Sequence, residues 1–237
     1  YKQSAKKAVD SIGLGIPQIA DNLDFEKIFD FCPNDLQQKA MSAITTPGIY
    51  VIEAPMGLGK TEAALAGAYE LLRTGQACGL YFALPTQLTS NRIHLRVNEF
   101  VKRITRNPEN TRLAHASAWL EDIYYQPRPV QTLIKHDESD ATKSRDWFAS
   151  AKRALLANFG VGTVDQALMA MVAVKHFFVR RFALSGKVVI IDEVHSYDHF
   201  TGTLINRLCE ELLRLGCTII ILSATLLPEV RNRLINV

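Results

Sequence analysis

Short apolar runs alternate along the chain with longer stretches in which apolar residues recur every three or four positions. The runs Ile49–Ala54, Cys78–Leu84, Thr111–His115, Gly160–Thr163, Lys187–Asp192 and Cys217–Ser223 are rich in Val, Ile, Leu, Tyr or Ala. Each is bounded by turn residues or a helix start, which predicts six strands. Asp35–Ile44, Thr61–Thr74, Thr86–Arg103, Val164–Phe178 and His199–Leu215 carry helical spacing. Strands alternating with helices imply parallel pairing through crossovers, hence an α/β layered domain. The strands are apolar at consecutive positions and fit a mostly parallel sheet covered by helices on both faces.

Two regions break the pattern. Residues 1–23 are polar and weakly patterned, like a tail or incoming linker, which leaves 24–237 as the folded domain. Residues 116–148 carry prolines and mixed charge without periodicity and read as an exposed insertion. At 48% hydrophobic and 22% charged over 237 residues, the composition is that of a globular protein. The net charge of +3 permits nucleic-acid binding without arguing for it. Cys32, Cys78, Cys209 and Cys217 form no CxxC pair and read as reduced structural thiols. The apolar runs stop well short of the ~18 residues a membrane span needs. The N-terminal "YKQSAKKAVD" lacks a hydrophobic signal core. A soluble, cytoplasmic protein with no membrane partner is expected.

"VIEAPMGLGKTEAAL" follows the first strong strand and opens a helix, the context a phosphate-binding loop needs. Backbone N–H groups freed by Gly57 and Gly59 can surround a phosphate, and the helix N-terminus adds partial positive charge. Lys60 can reach the β- and γ-phosphates of ATP, and the Thr61 hydroxyl can ligate Mg²⁺. Pro55, Met56, Leu58 and Glu62 complete the loop and its helix start. Ala54 stands where the general pattern begins with glycine.

The strand in "KVVIIDEVHSYD" runs straight into Asp192 and Glu193, and unpaired buried carboxylates are costly. The C-terminal ends of parallel strands line the ligand crevice of an open α/β sheet. There Asp192 can hold Mg²⁺, directly or through water, and Glu193 can orient and deprotonate the water that attacks the γ-phosphate. An N-capping acid pair ahead of the helix near His199 is the alternative. "LSATL" ends the last strand, where Ser223 and Thr225 can bond to the acidic motif and relay nucleotide state.

The ordered set "APMGLGKTE", "LPTQLTSN", "VGTVDQAL", "IIDEVHSYD", "LSATL" resembles the first RecA-like domain of a superfamily 2 DExH helicase. More narrowly, "GTVDQALMA" followed by "KHFFVRRFALSGKVVIIDEVHSYD" resembles the helicase part of the helicase–nuclease of type I CRISPR systems. The resemblance runs from about Phe31 to Leu234. It implies that Gln37 reads the adenine edge, with Gln38 adjacent to it. It implies that Pro85, Thr86 and Gln87 form a first strand-contacting motif and Thr163, Asp165 and Gln166 a second. His195 joins Ser223 and Thr225 in coupling. Backbone contacts of this kind bind single-stranded DNA with little regard to sequence. Thr86 and Thr163 also suit helix N-capping. Arg92, Arg96 and Arg103 share a helix face, as a phosphate-facing stripe or a solvated face. Lys175, His176, Arg180 and Arg181 form a second basic cluster with the same two readings.

The family also carries a histidine–aspartate nuclease domain and a second RecA-like domain. "KHDESD", His136 to Asp140, lacks partner histidines and is not read as a nuclease site. The implied role is the ATP-binding half of a DNA translocase in type I CRISPR interference, served by a Cascade-like surveillance complex and by the missing domains. Alternatives are a non-hydrolysing partner-docking module, another DExH nucleic-acid helicase, or a small-molecule P-loop kinase. The kinase leaves "LPTQ", "GTVDQ" and "SATL" unexplained.

Overall fold

The computed structural model describes residues 15–85, 90–106, 113–115, 155–171, 177–192, 199–226 and 231–232. The strands are β1 (Ile49–Glu53), β2 (Leu80–Leu84), β3 (Leu113–His115), β4 (Phe159–Thr163), β5 (Val188–Ile191) and β6 (Thr218–Ser223). They form a six-stranded sheet in the order β1-β6-β5-β2-β4-β3, every neighbouring pair parallel. Helices α1 (Phe25–Phe29), α2 (Asp35–Ala43), α3 (Lys60–Arg73), α4 (Ser90–Ile104), α5 (Val164–Leu168), α6 (Phe177–Leu184) and α7 (His199–Arg214) connect and cover them.

Every residue of β2, β4, β5 and β6 is buried, as two covered faces require. Successive strand side chains point to opposite faces, and the core divides accordingly. Leu80, Phe82, Leu84, Ile190 and Ile220 pack with Leu65 and Leu72 of α3 and Val97 and Phe100 of α4. Tyr81, Ala83, Ile191, Ile219 and Ile221 pack with Ala167 of α5, Leu184 of α6, and Leu208 and Leu212 of α7. Helix α2 lies against α3 because Gly67 leaves room for Ile44; a Cβ on Gly67 would come within 2.7 Å of that side chain.

The stretch expected as one helix over Val164–Phe178 is divided. Helix α5 ends at Leu168, and Ala170 N and Met171 N bond back only three residues, to Ala167 O and Leu168 O. Such tight bonds close a helix, and the near-continuous apolar run "ALMAMVAV" has no period to resist the break. Residues 15–23, read from sequence as part of a tail, lie along the domain. Ile19 bridges Thr105, Ala20 N donates to Ile104 O at 2.7 Å, and Tyr69 Oη donates to Ala20 O at 2.8 Å while accepting from Leu23 N. The four cysteines are free, as expected. Burial pushes the Cys217 thiol up to about 11. Among the described residues no helix is long and apolar enough to cross a membrane.

Candidate nucleotide site

Strand β1 feeds a turn in which Gly57 and Gly59 have φ of +84° and +76°, a region other residues rarely enter. A Cβ on Gly59 would also lie 2.4 Å from Gln37 Nε2, so a side chain there would push that amide aside as well as strain the backbone. Helix α3 starts at the next residue without a side-chain cap. Its first N–H groups are therefore available to an anion, which the helix dipole favours. Lys60 Nζ donates to Ala54 O at 2.5 Å and Pro55 O at 3.0 Å, which keeps the ammonium over the start of the loop.

Asn34 and Gln37 brace the loop from α2. Each side chain accepts from the other's backbone N–H at 3.0 Å, forming a capping box. Asn34 Nδ2 donates to Leu58 O at 3.1 Å and Gln37 Nε2 to Gly59 O at 3.3 Å. Gln37 is only 1% exposed. The residue expected to read adenine thus lies at the cleft with both ends of its amide bonded to protein. Gln38 is exposed and donates to Pro33 O at 3.2 Å.

The neighbouring strands end on the other side of the loop. Asp192 follows β5, its N–H bonded to Ala83 O at 2.9 Å. Ser223 closes β6, fully buried, and its Oγ donates to Thr225 O at 2.9 Å; Thr225 itself is exposed. Ala54 N donates to Ser223 O at 3.1 Å, joining the exits of β1 and β6. Glu53 strengthens that join by accepting from Leu226 N at 3.0 Å and from Arg231 Nε at 3.0 Å. The Leu226 N–H, with help from Arg231, holds its carboxyl below the usual glutamate range.

Gln37, Gly57, Lys60, Thr61, Asp192 and Ser223 line one cleft of about 410 Å³. Thr61 and Asp192 offer it a hydroxyl and a carboxylate, hard oxygen donors of the kind Mg²⁺ takes together with water and phosphate. Among the described residues no group of three or more His, Cys, Asp or Glu could hold a metal by itself. The Thr61 hydroxyl and the Asp192 carboxylate fit a cation that arrives with a polyphosphate.

Arg96 of α4 lines the same cleft and forms an ion pair with the buried Glu62. Sequence reasoning did not place it there. Arg103 bonds Asp30 and Ile28 O, so these two members of the arginine stripe serve contacts within the domain. Arg181 of the second basic cluster pairs with Glu211 of α7.

Of the residues expected at a DNA strand, the described ones lie further along the same sheet edge. Pro85 follows β2, and Thr163 ends β4 opposite Leu84. Thr163 and Gln166 are 7% and 6% exposed, whereas Asp165 is exposed. Thr163 is the N-cap of α5, but its side chain makes no capping bond. Its carbonyl accepts from Tyr81 Oη at 3.0 Å. Thr86, Gln87, Lys175, His176, Glu193 and His195 lie outside the described residues, as does His136–Asp140.

The model of the DEAD/DEAH box helicase family matches residues 34–233. The chain is 38% identical to the CRISPR-associated endonuclease/helicase Cas3 of Thermus thermophilus, over 98% of this chain and 26% of that protein. It is 37% identical to the CRISPR-associated nuclease/helicase Cas3 of Streptococcus thermophilus, over 90% and 24% respectively. The crystal structure of T. fusca Cas3 with AMPPNP superposes with a TM-score of 0.78 at 35% identity, over 98% of this chain and 25% of that one. A chain in a CRISPR RNA-guided surveillance complex, pre-nicking, matches with a TM-score of 0.60 at 33% identity, over 86% and 19%. The chain thus spans about a quarter of the length of the curated relatives it matches. With its RecA-like parallel sheet and a glycine-rich loop at the sheet's C-terminal edge, this chain belongs to the DEAD/DEAH box helicase family, and over almost its whole length it is similar to CRISPR-associated helicase–nucleases.

Proposed function

We propose that this chain is the ATP-binding half of an ATP-dependent translocase that moves on single-stranded DNA in type I CRISPR interference. The observation that carries the reading is the convergence of the Gly57–Thr61 loop, Asp192 and Ser223 on one cleft. The loop N–H groups and Lys60 would bind the phosphates, and Thr61 and Asp192 would hold Mg²⁺. When bound, that cation neutralises charge on the terminal phosphates. Glu193, next in sequence to Asp192, would orient and deprotonate the attacking water. His195, Ser223 and Thr225 would relay nucleotide state. Pro85, Thr86, Gln87, Thr163, Asp165 and Gln166 would face the strand.

The transition-state cation would come from a second RecA-like domain, and cleavage from a nuclease domain, both in the remainder of a protein as long as the relatives. Similarity to a chain of a CRISPR RNA-guided surveillance complex supports such a complex as partner. Glu193→Gln in the full-length protein tests the reading. Nucleotide binding should persist and hydrolysis should stop, because the amide keeps the shape and lacks the base. Wild-type turnover would assign water activation to another group.

A second reading, a docking module that does not hydrolyse ATP, is favoured by Phe178 and Phe182, which are 62% and 73% exposed on α6. An Mg²⁺–ATP titration without a melting shift would select it.

A further inference from the structure

Strand β4 reads "FGVGT", with glycine at every second position. Glycine inside a strand weakens it and often marks a place where another group comes close. Successive strand residues alternate between faces, and residues paired in register share one. Tyr81 pairs with Gly160 and Ala83 with Gly162, so both glycines lie on the face where Tyr81 packs with α5, α6 and α7. No side chain of β4 therefore stands between the Tyr81 ring and the end of that strand. Side chains on strands lean along the strand direction, and Tyr81 Oη reaches Thr163 O, to which it donates at 3.0 Å.

The bond falls where the chain turns. Thr163 closes β4 and is the N-cap of α5, extended at φ −91° and ψ 156°. Its hydroxyl makes no capping bond, so the contact that ordinarily fixes an N-cap against its helix is missing. Tyr81 fixes the same residue from the carbonyl side instead. Tyr81 belongs to β2, which is paired with Thr163 through Leu84 and leads into Pro85. A single hydrogen bond thus ties the strand that enters the first candidate DNA motif to the turn that begins the second. Burial, with the Asp165 charge nearby, raises the phenol well above its ordinary range, so it remains a donor at neutral pH. Thr163 and Gln166 are themselves 7% and 6% exposed. So little of either reaches the surface that contact with a strand depends on where the turn is held.

Resting on the single-stranded DNA reading above, we infer that Tyr81 is a positioning residue: its hydroxyl, acting through Thr163 O, sets the turn from which Thr163 and Gln166 meet the DNA backbone. Tyr81 is 2% exposed and does not itself touch the strand.

The test uses the full-length protein and its Tyr81→Phe variant, which keeps the ring over the two glycines and removes only the donor. Fluorescence anisotropy reads affinity for oligothymidine and for a single-stranded oligonucleotide of unrelated sequence. Calorimetry reads Mg²⁺–ATP binding in the same samples, which also reports the fold. Tyr81→Phe should weaken both oligonucleotides about 3- to 10-fold, the worth of one hydrogen bond, and change Mg²⁺–ATP affinity less than about twofold. The DNA concentration that half-stimulates ATP hydrolysis should rise by the same factor, with the rate at saturating DNA unchanged. In a Thr163→Ala, Gln166→Ala background, adding Tyr81→Phe should cost less than about a further twofold, because groups that act through one another are not additive. Three results would overturn the inference while leaving the DNA reading intact. These are unchanged DNA affinity in Tyr81→Phe where Thr163→Ala or Gln166→Ala weakens it, equal losses for DNA and Mg²⁺–ATP, or a full additional loss in the double background. Absence of single-stranded DNA binding by the wild-type protein, or no effect of Thr163→Ala and Gln166→Ala, would instead overturn the DNA reading itself, and the inference with it.

Discussion

Two stretches of one sheet edge face the same side of the molecule and are built differently. At the ends of β1, β6 and β5, backbone conformation and the side chains that line the space define a cleft. Two glycines take positive φ, an uncapped helix presents N–H groups, and Lys60, Thr61 and Asp192 line the space. At the ends of β2 and β4, two of the candidate contacts are closed in. Thr163 and Gln166 are buried and Asp165 alone of that triplet is exposed. A small ligand with concentrated charge needs a concave site with groups aimed inward. A polymer bound through its phosphates can be held by loop backbone and helix starts. Under the proposed function, Thr163 and Gln166 would face such a strand from positions that are 7% and 6% exposed. The sheet order brings this about, because β6 and β5, late in the chain, lie between β1 and β2.

The largest effect that could break this comparison is on turnover. The nucleotide edge of this chain offers a cleft, but stabilisation of the transferring phosphoryl needs a further cation, typically worth about 10³–10⁵ in rate. Residues 1–237 alone are expected to bind ATP, turn it over near background and separate no strands. The full-length protein at saturating single-stranded DNA should recover that factor. Comparable turnover by both would mean that the cleft supplies its own cation, with Arg96 the first candidate.

Next in size is the loop lysine. Mg²⁺–ATP at about 100 times its dissociation constant should stabilise the chain by roughly 2.7 kcal/mol, a melting shift of about 5–10 °C for a domain of this size. Lys60→Ala should remove most of that shift and leave the ligand-free melting temperature nearly unchanged. The same shift in the variant would take Lys60 out of its assigned role.

On the other stretch the effects should be smaller and of a different kind. Gln166→Ala and Thr163→Ala should each cost about 1 kcal/mol of stability, as loss of a buried polar group does. They should also weaken single-stranded DNA binding to a similar degree for unrelated sequences. Fluorescence anisotropy with two oligonucleotides, over a salt series, reads both affinity and the counterion release that phosphate contacts produce. A loss confined to one sequence would turn the strand edge into a base reader.

How far this contrast was legible in the sequence depended on range. "KVVII" and "TIIILS" announced β5 and β6 because fully buried parallel strands need no alternation. The glycine-lysine-threonine loop was legible because its backbone demands leave a local signature. Helix α1 was missed, since five residues are too few to show a period; its Asp24 cap accepts from Lys27 N at 2.8 Å, which only local geometry reveals. The arginine stripe was visible, but its partners were not. Arg96 meets Glu62 34 positions away and Arg103 meets Asp30 73 away, and spacing on one helix carries no information about either. Gln37 was legible only through the resemblance, and its burial depends on Asn34 and Gly59, which bond its amide.

The smallest expected effect concerns what keeps the nucleotide edge in place. Glu53 ends β1, pairs in register with Ser223, and accepts from Leu226 N and Arg231, so one carboxylate ties the strand before the loop to the segment after β6. Glu53→Gln keeps an oxygen for Leu226 and loses the charge opposite Arg231, which should cost about 1 kcal/mol at neutral pH. The pH dependence follows from the direction of the shift. The Leu226 N–H and Arg231 lower the carboxyl's folded-state pKa below its ordinary 4.5. Its stabilisation is therefore fully present above that value and is lost as pH falls through the folded-state value. Wild type and Glu53→Gln should differ in melting temperature at pH 7 and converge in acid. Asp165→Asn, an exposed acid on the strand side, should change stability by less than about 0.5 kcal/mol at any of these pH values. A Glu53 gap that stays constant into acid would show that the tie depends on hydrogen-bond shape and not on charge. Equal responses at Glu53 and Asp165 would remove the distinction between a braced nucleotide edge and a strand edge without such a brace.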